Sequence, residues 1–213
     1  MTAQRPAPAV LEGGSIRLEP LTRAHLPELY RAIGHPEVFA GGYGGGPKGY
    51  RGSEAGFADW AEDYYAWESG NPYGIRLKGG PDDSVLVGTS TLGDFELARE
   101  AAHLGWTAYD PRVWGTVVNP EAKLLILGEA FDHGIGRVKI QADVRNERSR
   151  AAIAKLGATF EGIVRRDVLR ADGSWRDSAV FSVIVDDWPA VREGLLERVR
   201  AQGGGRPVVL SNR

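Results

Sequence analysis

The stretch Leu104-Gly105-Trp106-Thr107-Ala108-Tyr109-Asp110-Pro111, running on through Trp114-Gly115-Thr116-Val117-Val118-Asn119-Pro120-Glu121-Ala122, decides how the rest of the chain is read. Its first six residues form a strand that turns at Asp110-Pro111. Asn119-Pro120-Glu121 then reads as a helix start: Asn caps free backbone N–H groups, Pro is tolerated at the first helical position, and Glu suits the positive end of the dipole. Leu124, Leu125, Leu127, Ala130 and Phe131 carry the helix to Gly134, a left-handed terminator. Val138, Ile140, Ala142 and Val144 alternate with Lys139, Gln141 and Asp143 as a second strand, and a second helix runs from Asn146 to Leu156 before Gly157. Strand, helix start, strand, helix is an order that holds a phosphorylated ligand on backbone donors.

Working outward, 213 residues favour one domain, and a hydrophobic content of 42% supports a real core. A formal charge of −2 gives no drive toward nucleic acid or an anionic membrane surface. The absence of cysteine excludes disulfides, thiolate metal sites and a Cys nucleophile. The four histidines, His25, His35, His103 and His133, lack ligand spacing, so no metal is expected. No apolar run reaches the ~20 residues of a membrane span, and the first residues lack a secretion signal, which together predict a cytoplasmic protein.

Residues 1–14 read as a flexible arm, 15–200 as one domain and 201–213 as a tail. Ile16 and Leu18 mark a first strand, and Thr22 opens a helix carrying Leu26, Leu29, Tyr30 and Ile33 that ends at His35-Pro36. Gly41–Gly52, with seven glycines, is either a surface connection or a mobile lid. After Ser53, the aromatics Phe57, Trp60, Tyr64 and Trp67 make one helical stripe, facing the core or walling a pocket. Strands follow at Tyr73–Leu77 and Val85–Phe95, and Asp172-Gly173 between two alternating runs predicts a hairpin. Asp187-Trp188-Pro189 leads into a closing helix.

The residues Leu104-Gly105-Trp106, Asp110-Pro111, Trp114-Gly115, Glu121-Ala122, Asn146-Glu147-Arg148-Ser149 and Leu156-Gly157 resemble the cofactor half of the GNAT superfamily of acyl-CoA-dependent N-acyltransferases, and within it the ribosomal-protein N-acetyltransferase subgroup. Asp172-Gly173-Ser174-Trp175 and Asp187-Trp188 also fit. The resemblance implies an α/β fold: a mixed, twisted sheet of about six or seven strands with helices on both faces. It implies acetyl-CoA as donor and direct transfer of an acetyl or other short acyl group to a primary amine in a ternary complex. The acceptor is a protein N-terminus or a small molecule, and a homodimer is a possibility to test. A non-catalytic CoA-binding module and a succinyl-CoA donor are the competing readings.

Under the same resemblance the cofactor surface comprises Tyr109, Trp114, Gly115, Thr116, Val117, Val118, Asn119, Glu121, Ala122, Asn146 and Ser149. Backbone donors from Gly115 to Ala122 would hold the pyrophosphate; Pro120 has no N–H to give. Arg148, Arg150 and Lys155 are candidates for a 3′-phosphate, and Lys123 for a phosphate or for open solvent. Relatives often use a tyrosine to protonate the departing thiolate, at a position that is Ile153 here, which leaves Ser149 for that role. A general base is drawn from Asp94, Glu96 and His103, His103 standing where relatives carry glutamate; its ordinary pKa suits proton transfer near neutrality.

Overall fold

Eight strands form one sheet. A computed structural model describes residues 2–211. The strands are β1 (Leu11–Glu12), β2 (Ile16–Pro20), β3 (Asn71–Leu77), β4 (Leu86–Glu96), β5 (Ala101–Tyr109), β6 (Arg137–Asp143), β7 (Thr159–Leu169) and β8 (Trp175–Ile184). The helices are α1 (Leu26–Ile33), α2 (Pro36–Ala40), α3 (Glu54–Tyr64), α4 (Val118–Asp132), α5 (Glu147–Ala154) and α6 (Trp188–Ala201). The sheet order is β1-β2-β3-β4-β5-β6-β8-β7. Eight strands replace the six or seven expected. The two-residue β1 has too little sequence to show alternation and exists only because it pairs with Arg17 and Leu18.

Every neighbouring pair is antiparallel except β5 and β6. That parallel ladder covers only Ala101↔Arg137, Ala102↔Val138 and His103↔Lys139, after which the two strands part. The cause lies in β5. Its register against β4 slips between Thr89 and Thr91, and Trp106 there adopts φ +49°, the left-handed region that a bulky side chain rarely occupies. Gly105 permits this bulge, because a Cβ at that position would lie 2.8 Å from His103 Cε1.

The two faces of the sheet carry separate cores. On one face α4 and α6 cover Ile16, Leu18, Ile75, Leu77, Leu104 and Val138, with Ile126 and Leu127 of α4 fully buried. On the other, α1 and α3 bring Leu29, Ile33, Phe57 and Ala61 against Leu86 and Ala108. Each such fully buried large side chain contributes about 1.5–3 kcal/mol. Ser53 caps α3 by accepting from Gly56 N at 3.2 Å, as its position in sequence implies. The Asp172-Gly173 hairpin also forms, with Gly173 at φ +81°. Among the described residues, no helix is long and apolar enough to cross a membrane.

Both chain ends are fastened to the domain. The expected loose arm instead lies against it: Arg5 donates to Asn71 Oδ1 at 2.9 Å and Glu68 O at 2.7 Å, and Ala3 is buried. At the other end Gly205 N donates to Ser15 Oγ at 2.9 Å, and Leu210 N to Asp82 Oδ2 at 2.8 Å. These anchors join residues far apart in the chain, which composition does not reveal. Glu121 organises the junction from inside α4. Its buried carboxylate accepts from Gly14 N at 2.6 Å and from Ser15 N at 3.1 Å.

Replacing Glu121 by Ala leaves the buried Ser15 N–H without an acceptor, at a cost of about 1–3 kcal/mol, and frees the exposed Gly14 N–H to water. Glu121→Ala is expected to lower the urea midpoint accordingly and to speed amide exchange at Gly14 and Ser15. A midpoint within error of wild type would show that the carboxylate is dispensable.

Candidate active site

The parting of β5 from β6 opens a cavity of about 300 Å³ that passes between the strands. Leu104–Tyr109 of β5 form one side, and Ile140–Asp143 of β6 the other. Trp114, Gly115 and Asn119 close one end, Asn146, Ser149 and Ile153 of α5 line another part, and Gly41–Tyr43 with Tyr64 complete the rim.

The entry to α4 differs from the sequence expectation. The helix begins at Val118, its N-cap is Val117, and no side chain caps it. Asn119 therefore lies inside the first turn, and Pro120 is its third residue. Thr116 Oγ1 donates to Val113 O at 2.7 Å and is 3.4 Å from Val118 N. Among the described residues, the N–H groups of Gly115, Val117 and Asn119 have no hydrogen-bond partner. Gly115 (φ +78°) is exposed with open space where a side chain would be. Uncommitted N–H groups at the positive end of a fifteen-residue helix make an anion cradle. The capping reading of Asn119 fails, and the cradle exists because that cap is missing.

The side chains of several expected cofactor residues face elsewhere, while Val117 keeps its free backbone N–H at the helix start. Val117, Val118 and Ala122 are buried in the core, because one side of the first turn must pack on the sheet. Thr116 holds the loop below the helix. Glu121 serves the Gly14–Ser15 junction, and its own N–H is taken by Val117 O. Tyr109, Trp114, Gly115, Asn119, Asn146 and Ser149 do line the cavity. The Tyr109 hydroxyl is buried without a partner, which pushes its pKa above the usual tyrosine range.

Asn146 caps α5, its Oδ1 accepting from Ser149 N at 2.9 Å, while its Nδ2 donates to Gly41 O. That second bond, with Ala171 N on Gly45 O at 3.2 Å, ties the glycine-rich segment across the cavity mouth. Both readings of the aromatic stripe hold: Phe57 is core, whereas Tyr64 walls the cavity. Arg148 stacks over Trp114 with its guanidinium carbon 3.7 Å from the ring centroid. Arg150 is turned inward onto Val144 O, and Lys155 is exposed, so of the three only Arg148 borders the cavity.

The base candidates also separate. Glu96 is exposed at the end of β4, paired with Arg99 at 3.3 Å, and lies off the cavity, where β4 has run past β3 and still pairs with Ala101 of β5. His103 and Asp94 come together: Asp94 Oδ2 is 3.0 Å from His103 Nδ1. With Nδ1–H donating to that carboxylate, Nε2 keeps its lone pair, and this buried atom has no partner. Burial lowers the His103 pKa below its ordinary value, and the Asp94 hydrogen bond opposes that shift only in part. The imidazole is therefore neutral at pH 7, beneath Gly105 and 5.1 Å from the Trp106 ring. Sequence reading missed the burial of Lys123. It donates to Ser90 Oγ at 3.0 Å and Thr107 Oγ1 at 2.8 Å, and desolvation lowers its pKa to about 7. Only its periodicity within α4 could have signalled this.

Comparison with known proteins gives a consistent set of likenesses. The acetyltransferase (GNAT) domain family matches residues 15–159. A protein of T. thermophilus assigned as an acetyltransferase is 32% identical, with a TM-score of 0.79 over 92% of this chain and 100% of that one. A GCN5-related N-acetyltransferase from Brucella melitensis superposes with a TM-score of 0.81 at 24% identity, covering 92% of this chain and 87% of its own. Mycobacterium smegmatis RimJ, in complex with CoA-disulfide, shares the fold at 19% identity, with a TM-score of 0.72 over 94% of this chain and 98% of that one. A comparison with curated proteins finds no match.

The His103–Asp94 pair makes a directional prediction. In an NMR pH titration His103 is expected to titrate below 6.5, and Asp94→Asn to lower its pKa further, because the carboxylate favours the charged ring. A His103 pKa at or above 6.5 that ignores the substitution would remove the pair.

Proposed function

Because the chain belongs to the acetyltransferase (GNAT) family, whose members use acyl-CoA donors, we propose that it moves an acetyl group from acetyl-CoA to a primary amine by direct attack in a ternary complex. The observation that carries this reading is a cavity running between parted strands, with an anion cradle at one end; the His103 imidazole, its Nε2 buried and unpartnered, lies behind Gly105 in the cavity wall. The residues present fit the donor. Gly115, Val117 and Asn119 offer uncommitted N–H groups to a pyrophosphate, and the open space at Gly115 leaves room for it. Acetyl-CoA supplies an activated acyl carbon and a thiolate leaving group.

The chain's own residues do the rest. His103 Nε2 accepts the proton of the incoming ammonium group while Asp94 holds the ring tautomer. Ser149, whose hydroxyl is uncommitted at the start of α5, donates to the departing sulfur, since Ile153 has no proton to give. Tyr43, Tyr64 and Arg176 wall the acceptor side. The acceptor is a protein N-terminus, as resemblance to the ribosomal-protein subgroup implies, or a small amine.

Turnover of acetyl-CoA against a panel of peptide N-termini and small amines, followed by thiol release, tests the reading. His103→Gln is expected to lower kcat by about 10²–10⁴-fold with acetyl-CoA affinity by calorimetry unchanged. Wild-type activity should rise with pH through a limb below 6.5, because the base works only when neutral. An active His103→Gln enzyme would reassign the base. Ser149→Ala is expected to lower kcat about tenfold, the low end for proton donation, without loosening the donor; a loss confined to affinity would make Ser149 a binding residue.

A further inference from the structure

Lys123 is the one buried lysine among the described residues; Lys48 and Lys155 are exposed, and Lys78 and Lys139 are half-buried. No carboxylate pairs with it among those residues, and its only polar partners are the Ser90 and Thr107 hydroxyls. Isolated ammonium groups are costly in an apolar interior, so such a lysine sheds its proton readily. Burial alone brings its pKa to about 7. A large fraction of the chains therefore carry a neutral amine at neutral pH, whereas a surface lysine is almost wholly protonated.

The placement matters as much as the charge. Lys123 shares the cavity wall with Gly105, Trp106 and Thr107 at the bulge of β5 and with Ser149 across the gap. A desolvated lysine amine is an activated nucleophile, and its four-carbon stem lets Nζ swing from one partner to another. Departure of Nζ leaves neither hydroxyl unsatisfied, because Ser90 Oγ and Thr107 Oγ1 are hydrogen-bonded to each other at 2.8 Å.

We propose that Lys123 is an internal acyl acceptor: with acyl-CoA bound and no amine substrate present, its Nζ takes the acyl group. The inference rests on the acyl-CoA reading above. The nitrogen lone pair attacks the acyl carbon, the C–N bond forms and the C–S bond breaks. The sulfur leaves as thiolate and takes up the proton released by the amine, so CoA thiol and an amide are the products and nothing is oxidised or reduced. The amide is an end state, not a step of turnover. It abolishes the charge at Lys123 and adds bulk to the cavity, which turns the donor's own concentration into a brake on further binding.

The test needs no knowledge of the amine substrate. The full-length protein is incubated with acetyl-CoA, weighed intact by mass spectrometry and mapped by peptide, while a thermal-shift titration reports donor binding separately. One acetyl group per chain is expected at Lys123, at least ~10-fold above any of Lys48, Lys78, Lys139 and Lys155, given their unlike neutral fractions. Lys123→Arg, which keeps a cation but cannot be acylated, should stay at its starting mass. A protein that is stabilised by acetyl-CoA yet unmodified at Lys123 overturns the inference and leaves the donor reading standing. Equal acetylation of the surface lysines overturns it too, as plain chemical acylation. No thermal response to acetyl-CoA would sink the donor reading and this inference together.

Discussion

The structure depends on one short ladder. Among the described residues β5 and β6 are the only parallel neighbours in the sheet, and they stay paired for three residues. A longer ladder would seal the sheet; a shorter one would not hold its two halves together. The bulge at Gly105–Trp106 sets the length by turning β5 away, while β6 stays paired with β8 over seven residues. Strain at Trp106, roughly 1–3 kcal/mol for a residue in a sparsely populated region, is held by the packing on either side. The same bulge puts Gly105 and Trp106 on the His103 face and Thr107 on the Lys123 face.

Two titratable groups thus flank β5 on opposite faces, Lys123 in the cavity wall and His103 behind Gly105, and the same force acts on both. Burial disfavours the charged form of His103 and of Lys123. Asp94 offsets the effect at His103 and fixes which nitrogen is free, whereas Lys123 has only hydroxyls beside it. A neutral imidazole and a near-neutral amine on either side of one strand suit chemistry in which protons leave nitrogen.

Much of this was legible in the sequence because it rests on local rules. The strand Leu104–Tyr109, the Asp172-Gly173 hairpin and the Ser53 helix start all follow from alternation, turn chemistry and capping, which involve neighbours in the chain. His103 was among the base candidates, but its partner was not singled out, since Asp94 and Glu96 look alike until the irregular register between Gly93 and Glu96 is seen to turn Asp94 onto His103. Asn119 misled because its residue type matches a cap, while the chain enters the helix earlier, through Thr116 and Val117. Lys123 and Glu121 were illegible for a common reason. Both are charged residues that the sequence gives to the helix start, the cofactor or open solvent, and both are buried by contacts with residues 16 to 107 positions away.

The junction at Glu121 also has a topological consequence. Gly14 and Gly205 lie side by side there, with Gly205 bonded to Ser15, so the chain enters β2 and leaves α6 at one place. β2, which follows this junction, and α6, which precedes it, are therefore closed into a ring by non-covalent contacts. Neither end can peel away without disturbing the start of α4, and with it the anion cradle. The order in which the elements are strung is then a weak constraint on this architecture. A chain joined across Gly14 and Gly205 and opened at the exposed Gly79–Asp83 turn would keep every contact of the cleft, because that turn shares no residue with it.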